Sequence, residues 1–329
     1  MNATSLFVGL ASGAASAALS IALASGSLLS LFLFLFAPLP IFIAALGWRH
    51  HAGLVGAVVG TVLLYFLMGY GTAQGYAASV GFPAWWMAYL ALLGQPVDPE
   101  NPTPEGGMIW YPIGRLVAWA AVIGAGLVLA TIALHGGAVE DYRATLRTTF
   151  EAFLRAETNT PSDAPVTIPG GGDAARVTEI AVLTLPPLAA AVWTTIALVN
   201  LWVAGRIVRA SGRLARPWPD LSAFHLPSFT LMALIGGIVG SALPGLFGFA
   251  AGVIGAAFAI AFAMLGLALL HSGTRGATGR TMMLSVTYLL MAIQTWLVLV
   301  VTAIGVIEFL FGIRARIAAA RPPPPKLPQ

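Results

Sequence analysis

The chain has 329 residues, of which 58% are apolar and 9% charged, and its mean hydropathy is +0.88. A soluble globular chain carries roughly 25% charged residues, whereas a charge at the centre of a bilayer costs about 2.5–3.5 kcal/mol, so the composition excludes an ordinary soluble domain. Sixteen basic side chains outnumber 12 acidic ones, but the arginines gather in short loops between apolar runs, which is the positive-inside distribution and not a nucleic-acid footprint.

There is no cysteine, so disulfides, thiolate catalysis and Cys-ligated metals are excluded. The five histidines show no metal-ligand spacing, and no metal or cofactor is expected. The apolar stretches are continuous and do not alternate, which predicts spanning helices and not barrel strands.

The first run covers residues 6–24. Ala22-Leu23-Ala24 before Ser25 has the form of a cleavage site, but no Lys or Arg precedes the run, so it reads as an uncleaved first helix. The second run, 28–48, contains Pro38 and Pro40. Two missing backbone donors kink or break a helix, either beside a binding cavity or as a packing kink. Arg49-His50-His51 closes it. The third run, 52–70, carries Gly53, Gly56 and Gly60 near one face, where another helix can approach closely.

A weaker fourth run, 78–94, holds Pro83 and the interfacial pair Trp85 and Trp86, and either spans or re-enters. A polar, proline-rich loop over 95–114 with Asp98, Glu100 and Glu105 leads through Trp110-Tyr111-Pro112 to the fifth run, 116–135.

Residues 136–180 form the one sizeable non-membrane segment. Val139, Tyr142, Leu146, Phe150, Phe153 and Leu154 recur at helical spacing, with Asp141, Arg143, Arg147, Glu151 and Arg155 on the other face. This predicts an amphipathic helix over 138–157, lying on the membrane or against a partner. Arg147–Glu151 and Glu151–Arg155 are candidate i,i+4 pairs. Residues 158–173 read as linker, and Gly170-Gly171-Gly172 lacks the Lys-Ser/Thr of a phosphate loop.

The sixth run, 181–204, has Pro186 and Pro187 early and Asn200 late, and is followed by Arg206, Arg209, Arg213 and Arg216. After Pro217-Trp218-Pro219, runs 231–243 and 247–270 make a helical hairpin turning at Pro244-Gly245 and closed by His271, Arg275 and Arg280. The last run, 281–311, is long for one span and short for two, with no Gly or Pro at its middle. Arg314, Arg316 and Arg321 lead into a proline tail with Lys326.

The expected fold class is therefore all-α, a polytopic transmembrane helix bundle of eight to ten spans. Its organisation is an N-terminal bundle over 1–135, the extramembrane segment 136–180, a C-terminal bundle over 181–313 and a basic tail over 314–329. The arginine loops at 206–216 and 275–280 are separated by a two-helix hairpin and share a side, the cytoplasmic face of a bacterial inner membrane. A full fourth span then puts the N-terminus inside and 136–180 outside. A cytoplasmic tail requires two short helices in the last run, or one long tilted helix that breaks the rule.

Intramembrane polar groups are the first place to look for function. Pro38, Pro40, Asn200, Gln294 and Tyr288 are the candidate ligand-binding residues. His271, Glu308 and the arginines Arg206, Arg209, Arg213, Arg216, Arg314 and Arg316 read as topology and interface residues. The plainer alternative makes Asn200 and Gln294 interhelical glue worth about 0.6 kcal/mol each, and puts Glu308 at headgroup depth, a turn before Gly312. No carboxylate pair, Ser-His dyad or Walker loop appears, so no enzyme is expected.

Gly266-Leu267-Ala268-Leu269-Leu270-His271, then Arg275, Arg280 and Tyr288, then Gly305-Val306-Ile307-Glu308-Phe309-Leu310-Phe311-Gly312-Ile313-Arg314-Ala315-Arg316 stand with Pro38-Leu39-Pro40 and Phe224-His225-Leu226-Pro227. In these the chain resembles the YybS-like family of predicted bacterial membrane proteins, a family without an assigned function. The resemblance covers nearly the whole chain, with 136–180 its less typical part.

The N-terminal half is also similar to the substrate-binding subunits of energy-coupling-factor vitamin transporters and to the rod-shape protein MreD, through a Pro-x-Pro helix followed by a Gly-rich one. In those transporter subunits small residues four apart on the first helix dock a coupling subunit, a spacing matched by Ala11 and Ala15 or Ala14 and Ala18. These resemblances imply a non-enzymatic membrane subunit. It would either bind a small apolar or amphipathic solute or lipid, or scaffold a cell-envelope or cell-shape complex, with the bilayer and another membrane subunit as partners.

Overall fold

In lipid every backbone N–H and C=O must find a partner within the protein, so long apolar stretches fold as helices. The computed structural model describes residues 2–97, 107–134, 137–161, 164, 166 and 172–319. Asp98, Glu100, Glu105, His135, Gly170, Gly171 and the tail with Arg321 and Lys326 lie outside the described residues.

Helix α1, Ala3–Ile21, starts where the Asn2 side chain accepts the Ser5 N–H at 2.9 Å, and a 3-10 turn, Ala22–Ser25, follows it. Then come α2, Leu28–Leu35; α3, Leu39–Trp48; α4, His50–Met68; and α5, Tyr70–Tyr76. A π-helical turn, Ala77–Gly81, joins α5 to α6, Phe82–Ala91. The rest is α7, Ile113–Leu134; α8, Val139–Glu157; α9, Ala174–Ala210; α10, Phe229–Gly240; α11, Gly245–Gly273; α12, Arg280–Ile293; α13, Leu297–Phe311; and α14, Ile313–Ala319.

Six stretches among the described residues are long and apolar enough to cross a membrane: Ala3–Ser25, Leu28–Trp48, His50–Met68, Ile113–Leu134, Ala174–Ala210 and Gly245–Gly273. The helices α10, α12 and α13 are shorter but equally apolar in kind. The chain is an all-α polytopic helix bundle.

Two local features refine the sequence reading. The loop after α6 contains a short antiparallel ladder, β1, Gly94–Pro96, against β2, Met108–Trp110, with Gly94 opposite Trp110. Three-residue strands bearing Gly and Pro carry no alternation to read. The last apolar run, long for one span and short for two, is two helices, one of the two arrangements open for it. Gln294 closes α12 by donating its N–H to Leu290 at 2.7 Å, and α13 starts three residues later. One straight helix over that run would be about 46 Å long, well beyond a hydrocarbon core of about 30 Å.

The chain forms two compact units, each discontinuous in sequence. The first comprises Met1–Trp119, Ala197–Thr230 and Ala259–Gln329. In it α1 lies directly on α4. A β-carbon at Gly13 would stand 2.5 Å from the Gly56 carbonyl oxygen, and one at Gly56 would stand 2.5 Å from Ser12 Oγ. The glycines of the third run thus do what small residues do in lipid: with little hydrophobic drive between helices, close backbone approach holds them together. Ala11, Ala14, Ala15 and Ala18 stay exposed on the other side of α1. Later in this unit Gly266 and Gly305 let α11 and α13 touch, and the Thr302 hydroxyl donates across to Ala259 O at 2.9 Å.

The second unit comprises Ala120–Ile196 and Leu231–Phe258. Gly237 and Gly255 bring α10 and α11 into backbone contact. The Tyr142 ring of α8 meets Phe249 edge-on at 5.6 Å. The amphipathic helix is present, but its expected i,i+4 pairs give way to longer-range partners. Arg147 Nε donates to Glu179 at 2.8 Å, and Arg155 binds the carbonyls of Pro161 and Ala164 at 2.9 and 2.7 Å.

Candidate functional site

The break in the second apolar run follows directly from its prolines. Without an N–H, Pro38 and Pro40 leave the carbonyls of Phe34 and Phe36 short of their helical donors. The chain tightens to compensate: Ala37 N–H turns to Phe34 O at 2.9 Å and Leu39 N–H to Phe36 O at 3.0 Å. Leu39 would otherwise have served Leu35. That carbonyl is instead met by Asn200 of α9, whose Nδ2 donates to it at 2.8 Å from a site only 1% exposed.

A second polar contact lies one turn on. Ser16 Oγ donates to Ala37 O at 2.6 Å, and the Tyr76 hydroxyl donates to Ser16 Oγ at 2.7 Å. Both side chains are buried, and Tyr76 directly precedes the π-turn.

The structure puts Asn200 on the Leu35 carbonyl just ahead of Pro38 and Pro40, and adds Ser16 and Tyr76 at Ala37, which sequence reasoning missed. Their only trace in sequence is Ser12 and Ser16 continuing the small-residue face of Gly9 and Gly13. Gln294 and Tyr288 make no hydrogen bond to this group. Gln294 is exposed at the end of α12, and Tyr288, 47% exposed, places its hydroxyl 2.9 Å from His271 Nε2.

Glu308 is buried within the protein, 3% exposed. Gly312 takes a left-handed conformation (φ 59°) that folds the chain back, so that Arg314 Nε reaches Glu308 Oε1 at 2.7 Å and its N–H reaches Oε2 at 3.0 Å. The other guanidinium nitrogens donate to Ser222 O at 2.6 Å and Phe224 O at 2.8 Å.

The same segment is held again by Arg275, which donates to both Asp220 oxygens at 2.9 Å and to the Ser222 hydroxyl. The Ser222 hydroxyl hydrogen bond, with Arg275 beside it, holds the Asp220 carboxyl below the usual carboxylate range against some desolvation. A β-carbon at Gly114 would collide with the His225 carbonyl, so α7 seats on this segment too.

Three of the arginines after the sixth run lie over aromatic rings. The Arg206 guanidinium lies 5.8 Å from the Trp202 ring centroid and 5.9 Å from that of Trp218, Arg209 lies 5.4 Å from Trp218, and Arg213 lies 4.7 Å from Trp48. Arg216 donates to Ala91 O at 3.2 Å, and Arg316 is exposed on α14. Beside Trp48, the His50 ring packs on Tyr89 at 4.9 Å, and Tyr89 stacks on Trp85 at 6.2 Å.

Apolar helices of spanning length, glycine-mediated contacts between them, and polar side chains spent on backbone freed by proline define a polytopic α-helical membrane protein. Residues 14–308 match the family model described as "Predicted membrane protein (DUF2232)". The chain belongs to that family. No curated protein and no solved structure matches it, so the likeness to YybS-like proteins, to the vitamin-transporter subunits and to MreD rests on the segments quoted above.

Proposed function

We propose that the chain is a non-enzymatic, transporter-like membrane subunit that binds a small apolar or amphipathic solute within its first compact unit. One observation carries this reading. Two irregular helical stretches, Leu28–Trp48 broken at its prolines and residues 70–91 with their π-turn, are tied together through Ala37, Ser16 and Tyr76.

Irregular backbone at membrane depth persists only where protein or a wet cavity satisfies it. Pro-interrupted apolar segments are the best pointer to a transporter's substrate site, and π-turns occur frequently at functional sites. A solute with one acceptor can take the Tyr76 hydroxyl from Ser16 at little cost, because one hydrogen bond replaces another. The same proposal sets the chain in a bacterial inner membrane with its arginine-rich loops inside, following the positive-inside distribution.

Native mass spectrometry of the protein purified in mild detergent tests it. A retained small solute, depleted in Tyr76→Phe, is the expected result. An identical spectrum for the two proteins, or no solute in either, would remove the proposal.

The alternative, a scaffold in an envelope complex, draws on α8, where Val139 and Tyr142 are buried but Phe153 is 54% exposed. It expects a partner crosslinked through that face in cells, and a monomer alone would count against it.

A further inference from the structure

We infer that the end of α9 is a binding site for a phosphate-bearing group, either the headgroup of an anionic lipid or a free phosphate, held by Arg206, Arg209 and Arg213 on the platforms of Trp202, Trp218 and Trp48. This site is separate from the solute reading and stands without it.

Three observations lead to it. The first is geometry. A guanidinium stacked on an indole spends its face and keeps its in-plane N–H donors, the edge that fits a phosphate. Stacking also fixes the orientation of an otherwise mobile side chain. All three arginines are exposed, so those edges are open to a ligand. Trp218 stands between Pro217 and Pro219 in the chain and lies against Gly205, where a β-carbon would come within 3.2 Å of its ring.

The second is charge. Among the described residues of this unit the carboxylates are Asp220 and Glu308, and each is already engaged, by Arg275 and Arg314. No ion pair among the described residues uses Arg206, Arg209 or Arg213. Among the described residues the three positive charges have no counter-ion.

The third is unmet donors. The indole N–H groups of Trp48 and Trp85, with His50 Nδ1, are buried without a hydrogen-bond partner. Trp48 lies under Arg213, and His50 and Trp85 both pack on Tyr89. The Trp48 indole N–H thus lies under Arg213 without an acceptor among the described residues. Topology alone asks for positive charge near a helix end. It does not ask for aromatic platforms that orient that charge, and basic pockets of this kind at the cytoplasmic side are where anionic headgroups bind.

The test is native mass spectrometry of the full chain in mild detergent, titrated with phosphatidylglycerol, with phosphatidylcholine and with inorganic phosphate. Phosphatidylglycerol should be retained in preference to phosphatidylcholine. Arg209→Gln and Arg213→Gln should each lower that retention about fivefold. Trp218→Leu, which keeps every charge, should lower it as well, while Arg316→Gln, outside the stack, should leave it unchanged.

Displacement of the lipid by inorganic phosphate would assign the site to soluble phosphates, and its absence would assign it to the headgroup. Equal losses for Arg209→Gln and Arg316→Gln would overturn the inference, because the attraction would then be a diffuse field. So would a lack of preference between the two lipids together with no binding of phosphate.

Discussion

Burying Glu308 costs several kcal/mol unless its charge is met, and Arg314 meets it with two hydrogen bonds. Glu308→Gln leaves the guanidinium buried against two carbonyls with no counter-charge. It should lower stability by about 3–5 kcal/mol, read as a fall in Tm in mild detergent. Replacing both partners, Glu308→Leu with Arg314→Met, should recover much of the loss, since an apolar pair of similar volume is often neutral. A double variant as unstable as the sum of the two single ones would show that the partners are not coupled.

Asp220 behaves differently because half of its carboxylate faces solvent. Its folded carboxyl ionises at lower pH than the same group in the unfolded chain, whose ordinary value is about 3.9. Its contribution is therefore complete above that value and is lost as pH falls through the folded one. Asp220→Asn should flatten the acid side of the melting profile measured between about pH 5 and pH 2. Neither role was legible in the sequence. Glu308 read as a topology and interface residue because Gly312 gave no sign that the chain turns back on itself, and Asp220 carried no motif.

The helices divide by how local their causes are. The break at Pro38 and Pro40 and the close face of Gly53, Gly56 and Gly60 could be read directly, since a missing donor and a missing side chain act within their own segment. The partner of the break could not, because Asn200 meets Leu35 across 165 residues. Asn200→Ala should strand that carbonyl in an apolar setting and cost about 1–3 kcal/mol, measurable by thermal unfolding.

Gly56→Leu should prise α1 from α4 and cost about 1–3 kcal/mol or more. A Tm unchanged from the parent would contradict the observed contact. The division of the last run at Gln294-Thr295-Trp296 left no mark, since helices usually announce an end with Gly or Pro and this one does not. The pairs expected within α8 were legible but lost to Glu179, because spacing along one helix says nothing about a charge arriving from another.

For the molecule as a whole, composition was sufficient for the class: a chain so poor in charge and so continuous in its apolar runs has few homes besides lipid. Arg275 and Arg314 both hold residues 220–224, the segment that follows the arginines at 206–216 in the chain. The loops at 211 and 277 should therefore share a side. The chain has no cysteine, so Ser211→Cys and Ala277→Cys each install a sole thiol. An impermeant maleimide applied to intact cells should label neither, and after lysis it should label both. Labelling of one alone would break the common orientation. What composition could not supply is the site, because stacked guanidiniums and a tyrosine bonded to a serine are products of assembly.

The bond from Asn200 to Leu35 also bears on how the protein is made. A ribosome adds about 5–20 residues per second, so the Leu35 carbonyl enters the membrane roughly ten to thirty seconds before the side chain that will meet it. During that interval the broken helix carries an unmet acceptor, and the first unit still lacks its two later segments. The nascent N-terminal half must be sheltered, by the insertion machinery or by lipid-borne water, until the rest arrives. Residues 1–135 expressed alone should accordingly be degraded, and co-expression of 136–329 should rescue them, with quality control acting on a single carbonyl awaiting its late partner.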